Sequence, residues 1–264
     1  MEPRPLIRRR FRVKVTDRPT NDHWSGGKPY HRGAKCPACK IPLLLLWDIN
    51  CKDPIFPRRK FGSLKRLPLY FCWGCVNDLS YQVIDDSAIR IHPGKRSEGP
   101  SFQYEPYPQD FERNGLLLIE GVPKQIRNLV RKLVARWDTL DGSDAVPVPS
   151  DKEQKELTEV FGHSVILPMC LFHHQFGGKP IQQHWADEVF KCPNSDCTGK
   201  IADRIRGRKR SMKFLAGILN DPWGGLPMVE PANEETKERF NFYVSVQFHV
   251  CDCCWTIMAC NRCS

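Results

Sequence analysis

The chain has 264 residues, 41% apolar and 27% charged, which is the composition of a folded protein long enough for one large domain or two ordinary ones. Its 13 cysteines are an odd number, and the chain is too long for a small disulfide scaffold; the content fits a reducing compartment with metal-bound and free thiols. The formal charge of +10 invites polyanions. However, the cations are spread over Arg8–Arg12, Arg58–Lys60, Arg127–Arg136 and Arg204–Lys213, a pattern more typical of a solvated surface.

Met1–Arg10 is basic but no apolar core follows it, so no secretory signal is expected. Pro42–Trp47 is far too short for a membrane span, and the expected location is cytoplasmic. Phe11, Val13 and Val15 alternate with Arg12 and Lys14 and read as an edge strand. Asn21–Pro29 is a turn rich in breakers.

Next come Cys36-Pro-Ala-Cys39, a buried strand over Pro42–Ile49 and a basic loop over Pro54–Gly62. Leu67–Phe71 reads as a strand entering Cys72-Trp-Gly-Cys75, and Leu79, Tyr81 and Val83 alternate on the way out, which places that turn at a hairpin tip. Two Cys-x-x-Cys pairs about thirty residues apart supply four soft thiolates, a complete tetrahedral shell for Zn²⁺.

His92–Gly115 is dominated by Pro, Gly, Ser and charge and reads as a linker. Ile126, Leu129, Val130, Leu133, Val134, Trp137 and Leu140 recur at helical spacing, with Arg127, Arg131, Lys132 and Arg136 on the other faces. Such a helix packs on the core with a solvated cationic face, or offers that face to phosphates or an acidic partner. After Asp141–Ser150, Ser150 and Glu153 have capping-box spacing at the start of a second helix.

The order of features then recurs. Gly177-Gly-Lys-Pro180 echoes Gly26-Gly-Lys-Pro29, Cys192-Pro-Asn-Ser-Asp-Cys197 echoes the first cysteine pair with extra residues inside, and Met212–Asn220 matches Pro42–Asn50. Val244, Val246, Phe248 and Val250 alternate into Cys251-Asp-Cys-Cys254. A duplicated unit follows, with a second site at Cys192, Cys197, Cys251 and Cys254. Cys260-Asn-Arg-Cys263 competes for that role, and Cys51, Cys170 and Cys253 are further thiols. The expected fold is mainly β (α+β): a duplicated β unit with two four-cysteine zinc knuckles and a few helices in the connecting region. Its parts are a first repeat over 1–95, a linker and helical connection over 96–160, and a second repeat over 161–264.

Three stretches carry a family resemblance: His174-Gln-Phe-Gly-Gly-Lys-Pro180, Cys36-Pro-Ala-Cys39 with Pro42-Leu-Leu-Leu-Leu46, and Phe248-His-Val-Cys-Asp-Cys-Cys-Trp255 through Ser264. They resemble the YwqG-like family of bacterial proteins and the related parts of the programmed cell death protein 2 family. The resemblance implies a duplicated, mainly β architecture with zinc-ribbon-like knuckles in the cysteine-bearing members, no established enzymatic activity, and, from the eukaryotic relatives, a chaperone role toward a ribosomal protein.

No catalytic constellation is complete. Four thiolates leave a metal no open position, and His163, His173, His174 and His184 lack a His-Glu-x-x-His spacing. The Gly-Gly-Lys-Pro turns lack the Walker order, and Asp48, Asp53 and Asp221 show no acid–base partner. The expected function is a non-enzymatic, zinc-stabilised module that binds a protein partner, with no small-molecule substrate and no membrane. The alternative is a nucleic-acid- or ribosome-associated protein that uses Arg204, Arg206, Arg208, Lys209 and Arg210 with the basic helix.

Overall fold

A computed structural model of the chain describes residues 5–57, 61–72, 78–92, 110–121, 124–138, 149–161, 174–179, 190–199, 211–219 and 244–263. It is mainly β, one curled antiparallel sheet with two helices beside it. The strands are β1 (Arg10–Thr16), β2 (Trp24–Ser25), β3 (Leu44–Asn50), β4 (Arg66–Phe71), β5 (Leu79–Asp85), β6 (Ala88–His92), β7 (Asn114–Glu120), β8 (Gln175–Gly177), β9 (Lys213–Leu219), β10 (Val244–Val250) and β11 (Thr256–Cys263). Their order across the sheet is β4-β3-β2-β7-β1-β8-β9-β10-β11-β5-β6.

The alternation of β1 does bury Phe11 and Val13, but β1 is not an edge. It lies between β7 and β8 in the middle of the sheet. Alternation reports that a strand has one apolar face and says nothing of how many neighbours its backbone has. The segment 96–160, expected as linker and helical connection, contributes β7 to this same centre. The Asn114-Gly115 start, the apolar run Leu116–Ile119 and Gly121 were a strand signal within it.

The register shows how the parts interlock. Lys14 faces Leu117 in the β1–β7 ladder. On one side Gly115 faces Trp24 and Asn114 faces Ser25; on the other Arg12 faces Gln175 and Phe11 faces Phe176. An exchange about the Lys14–Leu117 pair therefore carries β7-β2-β3-β4 onto β1-β8-β9-β10. The opening strand of each half pairs with the second strand of the other, so residues of 1–95 and of 161–264 share one continuous sheet, and one large buried cluster holds side chains of both.

Local bonds obey the same correspondence. His23 precedes Trp24-Ser25-Gly26-Gly27 and its Nδ1 accepts from the Asn50 N–H at 3.1 Å; His174 precedes Gln175-Phe176-Gly177-Gly178 and its Nδ1 accepts from the Leu219 N–H at 3.1 Å. Leu43 N–H donates to Ala34 O as Met212 N–H donates to Phe190 O. The counterpart of Met212 is thus Leu43 rather than Pro42, and the sequence match of these strands is displaced by a residue.

The hairpin expected around Cys72–Cys75 is not formed by β4 and β5. β5 pairs with β11 and β6, whereas β10 and β11 do form a hairpin around Cys251–Cys254. β4 instead approaches β5 through side chains: the Tyr81 hydroxyl donates to Pro68 O and accepts from the Tyr70 N–H. Asp86, in the β5–β6 turn, accepts the N–H groups of Lys65 and Arg66. These bonds draw the two sheet edges together and satisfy groups that an open edge would expose.

Inside, the loop after β3 acts as a plug. Phe56 packs against Phe11, His23, Phe61 and Phe176. Asp53 holds the loop by accepting from buried His23 Nε2 at 2.6 Å, the tautomer fixed by the Asn50 N–H on Nδ1. Asp48 is bound by Arg66 and the Tyr30 hydroxyl. The helices α1 (Lys124–Asp138) and α2 (Asp151–Phe161) contact each other, and Leu129, Leu133 and Leu157 on them are buried. The capping box at α2 is formed: the Glu153 carboxylate accepts from the Ser150 N–H at 3.0 Å, and the Ser150 hydroxyl accepts from the Glu153 N–H at 3.4 Å. No helix among the described residues is long and apolar enough to cross a membrane.

This packing can be tested at two places. Gly26 has φ +67° and a Cβ there would lie 2.2 Å from Glu112 O; Gly177, its counterpart, has φ +67° with Arg9 O at 2.5 Å. Gly26→Ala is therefore expected to cost about 2 kcal/mol or more in urea unfolding. Burial also pushes His31 and His23 below the ordinary imidazole range. The unfolded chain then binds more protons than the folded one below about pH 6.5, so stability falls as the pH drops toward 5. His31→Phe, which removes the ring nitrogen hydrogen-bonded to the Tyr70 hydroxyl, is expected to cost about 1 kcal/mol at pH 7 and to flatten that slope.

Candidate metal centre

The structure brings the expected cysteines together in two places. Cys192, Cys197, Cys251 and Cys254 form one group and Cys36, Cys39 and Cys72 the other, with all sulfurs of a group within 4.8 Å of one another. Cys75 lies outside the described residues, as do Cys170, His163, His173, His184 and Arg204, Arg206, Arg208, Lys209 and Arg210. No disulfide joins the cysteines of either group, and both groups could hold a metal ion.

Each group is built on a tight knuckle. In the first, Cys36 N–H donates to Ile41 O and Lys40 N–H to Cys36 O, with Lys40 at φ +64°. In the second, Cys251 N–H donates to Thr256 O and Trp255 N–H to Cys251 O, with Trp255 at φ +57°. The same bonds and the same left-handed residue close both turns and point two sulfurs to one side. The long spacing of Cys192 and Cys197 has its own solution. Asn194 is buried, its Oδ1 accepts from the Asp196 N–H at 2.9 Å, and its carbonyl accepts from the Cys197 N–H at 3.4 Å. An Asx turn absorbs the extra residues, a signal carried by the Asn-x-Asp sequence itself.

The competing pair is placed elsewhere. Cys260 is buried in β11, faces Gln247 across the ladder and belongs to neither group; burial pushes its thiol up. Cys263 is also in β11. Burial likewise pushes up Cys51, whose thiol donates to Ile49 O, and Cys253 is exposed beside the second group.

The sulfurs interact strongly. Cys39 and Cys72 are 3.6 Å apart, as are Cys192 and Cys254, and Cys197 and Cys251. Hydrogen bonds from Cys72 and the backbone of its own knuckle hold Cys36 down at about 4. At the second group, hydrogen bonds from Cys192 and Cys251 hold Cys254 well below the thiol range, while Cys192 and Cys254 push Cys251 up. Thiols packed this closely share protons because adjacent anions repel. A divalent cation removes the conflict and lets every sulfur ionise. The second group also draws on distant chain: Gln82 Nε2 donates to Cys254 O at 2.8 Å, Val83 N–H donates to Trp255 O, and the Trp255 ring packs on Phe61.

Removal of bound metal by a chelator is expected to lower the melting temperature by many degrees, since apparent metal binding at such sites is on the order of 10 kcal/mol. Cys192→Ser should lose the metal of the second group while Cys260→Ser keeps it, measured by elemental analysis of the purified protein. Retention of full metal content in Cys192→Ser would contradict the assignment.

Comparison with protein-family models, with curated proteins and with solved structures finds no match to this chain.

Proposed function

We propose that the protein is a non-enzymatic scaffold, stabilised by zinc at two thiolate centres, that binds a protein partner in the cytoplasm in the manner of a chaperone. The observation that carries this reading is the second group: four convergent sulfurs fill a tetrahedral shell and leave a metal no position for water or substrate. Metal–sulfur distances of about 2.3 Å around zinc give sulfur–sulfur edges of about 3.8 Å, and the observed 3.6 Å contacts agree. The buried acid–base pairs are consistent with structural work, because His23 and Asp53 are 1% and 3% exposed and each fixes a backbone segment. The YwqG-like and programmed cell death protein 2 resemblance points the same way.

A second reading, a nucleic-acid- or ribosome-associated protein, draws on α1. Lys124, Gln125, Asn128, Arg131 and Lys132 are exposed there opposite buried Leu129 and Leu133, and the helix has no acid in its first turn. Cations with amides between them suit a phosphate backbone.

The readings separate by purification of the native complex and titration with salt. A protein partner that co-elutes and stays bound at high salt supports the scaffold. Binding to RNA or DNA that falls steeply with salt, and weakens in Arg131→Ala/Lys132→Ala, would replace it with the second reading. Turnover lost in Cys192→Ser would overturn both.

A further inference from the structure

The Cys192, Cys197, Cys251 and Cys254 group is served by a hairpin from the other half of the chain. β11 pairs with β5 and β5 with β6, which sets Met258, Ser80 and His92 in one row and Thr256, Gln82 and Arg90 in the next. Side chains in such rows share a face of the sheet. That face carries the second group, since Met258 packs on the Cys192, Cys197 and Cys251 cluster and the Thr256 hydroxyl lies 3.1 Å from Cys254 Sγ. Gln82 already grips the Cys254 carbonyl from this hairpin.

His92 Nε2 on the same face is buried and has no hydrogen-bond partner among the described residues. Buried imidazole nitrogens are ordinarily satisfied, so a lone one marks a missing partner. Burial holds the imidazole below its ordinary range, and the charges that act on it are those of Cys254, Arg90 and Asp196. The chemistry of the metal-loaded group supplies a reason. Four thiolates around a divalent cation keep two net negative charges, and a half-buried anion needs hydrogen-bond donors around it.

We propose that His92 is a positioning residue of the second metal centre, its imidazole N–H offsetting the charge on the Cys254 sulfur from across the β5–β11 seam. This rests on the metal reading of that group. Together with Gln82 it makes the centre a shared device: its ligands come from one half and its outer donors from the other. Cys254 is then the sulfur with most external support, from Thr256 and His92 together, and is the weakest donor of electrons to the metal.

The test uses the full-length protein loaded with zinc, and separately with cobalt(II). In His92→Phe the release of metal to a chelator should quicken about tenfold or more in one of two phases, the other phase staying unchanged. The sulfur-to-cobalt charge-transfer band should shift, and His92→Gln, whose amide can donate, should recover both properties in part. Wild-type release and an unshifted band in His92→Phe, with the second group full, overturn the proposal. Faster release in both phases in step with a lower melting temperature also overturns it, because it marks a general loss of stability. If Cys192→Ser leaves the metal content of the wild type unchanged, the metal reading itself fails, an outcome distinct from the other two.

Discussion

The sheet depends on one exchange of strands. β1 leaves its own half to pair with β8, and β7 leaves its half to pair with β2, with the Lys14–Leu117 pair at the centre. Neither half then holds a complete set of backbone hydrogen bonds alone, and an unpaired strand edge is unfavourable in water and prone to associate. The aromatic plug follows from this arrangement. Phe56 reaches Phe11 and Phe176 only because those strands, from different halves, are neighbours.

Much of this was legible and some was not, for physical reasons. The two cysteine groups were legible because each pair of cysteines is local, and thiols at knuckle spacing have few other uses. The choice of Cys251 and Cys254 over Cys260 and Cys263 also followed from the sequence, through the order of features in the first half. Strand adjacency was hidden. Phe11, Val13 and Val15 announce a strand with one buried face, but a central and an edge position give the same alternation. Proximity in the chain suggests a β4–β5 hairpin, but a rival partner, β11, pairs with β5 in place of β4.

The left-handed residues of the knuckles were equally hidden. Lys40 and Trp255 are not glycine or asparagine, so no turn rule marks them. Trp255 has a visible gain that offsets its backbone cost, because its ring packs on Phe61 and its carbonyl accepts from Val83. The histidines that begin both His-x-x-Gly-Gly turns look functional in a sequence and are structural in the fold, each capping the end of a strand.

These contacts bear on how metal and fold are coupled. The second knuckle is not a staple within one hairpin. Its tip is bonded to β5 through Gln82 and Val83, and β5 also joins β6, whose turn holds the start of β4 through Asp86. Hydrogen bonds therefore link Cys251–Trp255 to both edges of the curled sheet. The first group sits at the end of β4, where Cys72 follows Phe71. The two groups sit at opposite ends of the same closure, so with metal in both the energetic effect of emptying one should depend on whether the other is filled, a coupling that independent knuckles on separate domains would lack.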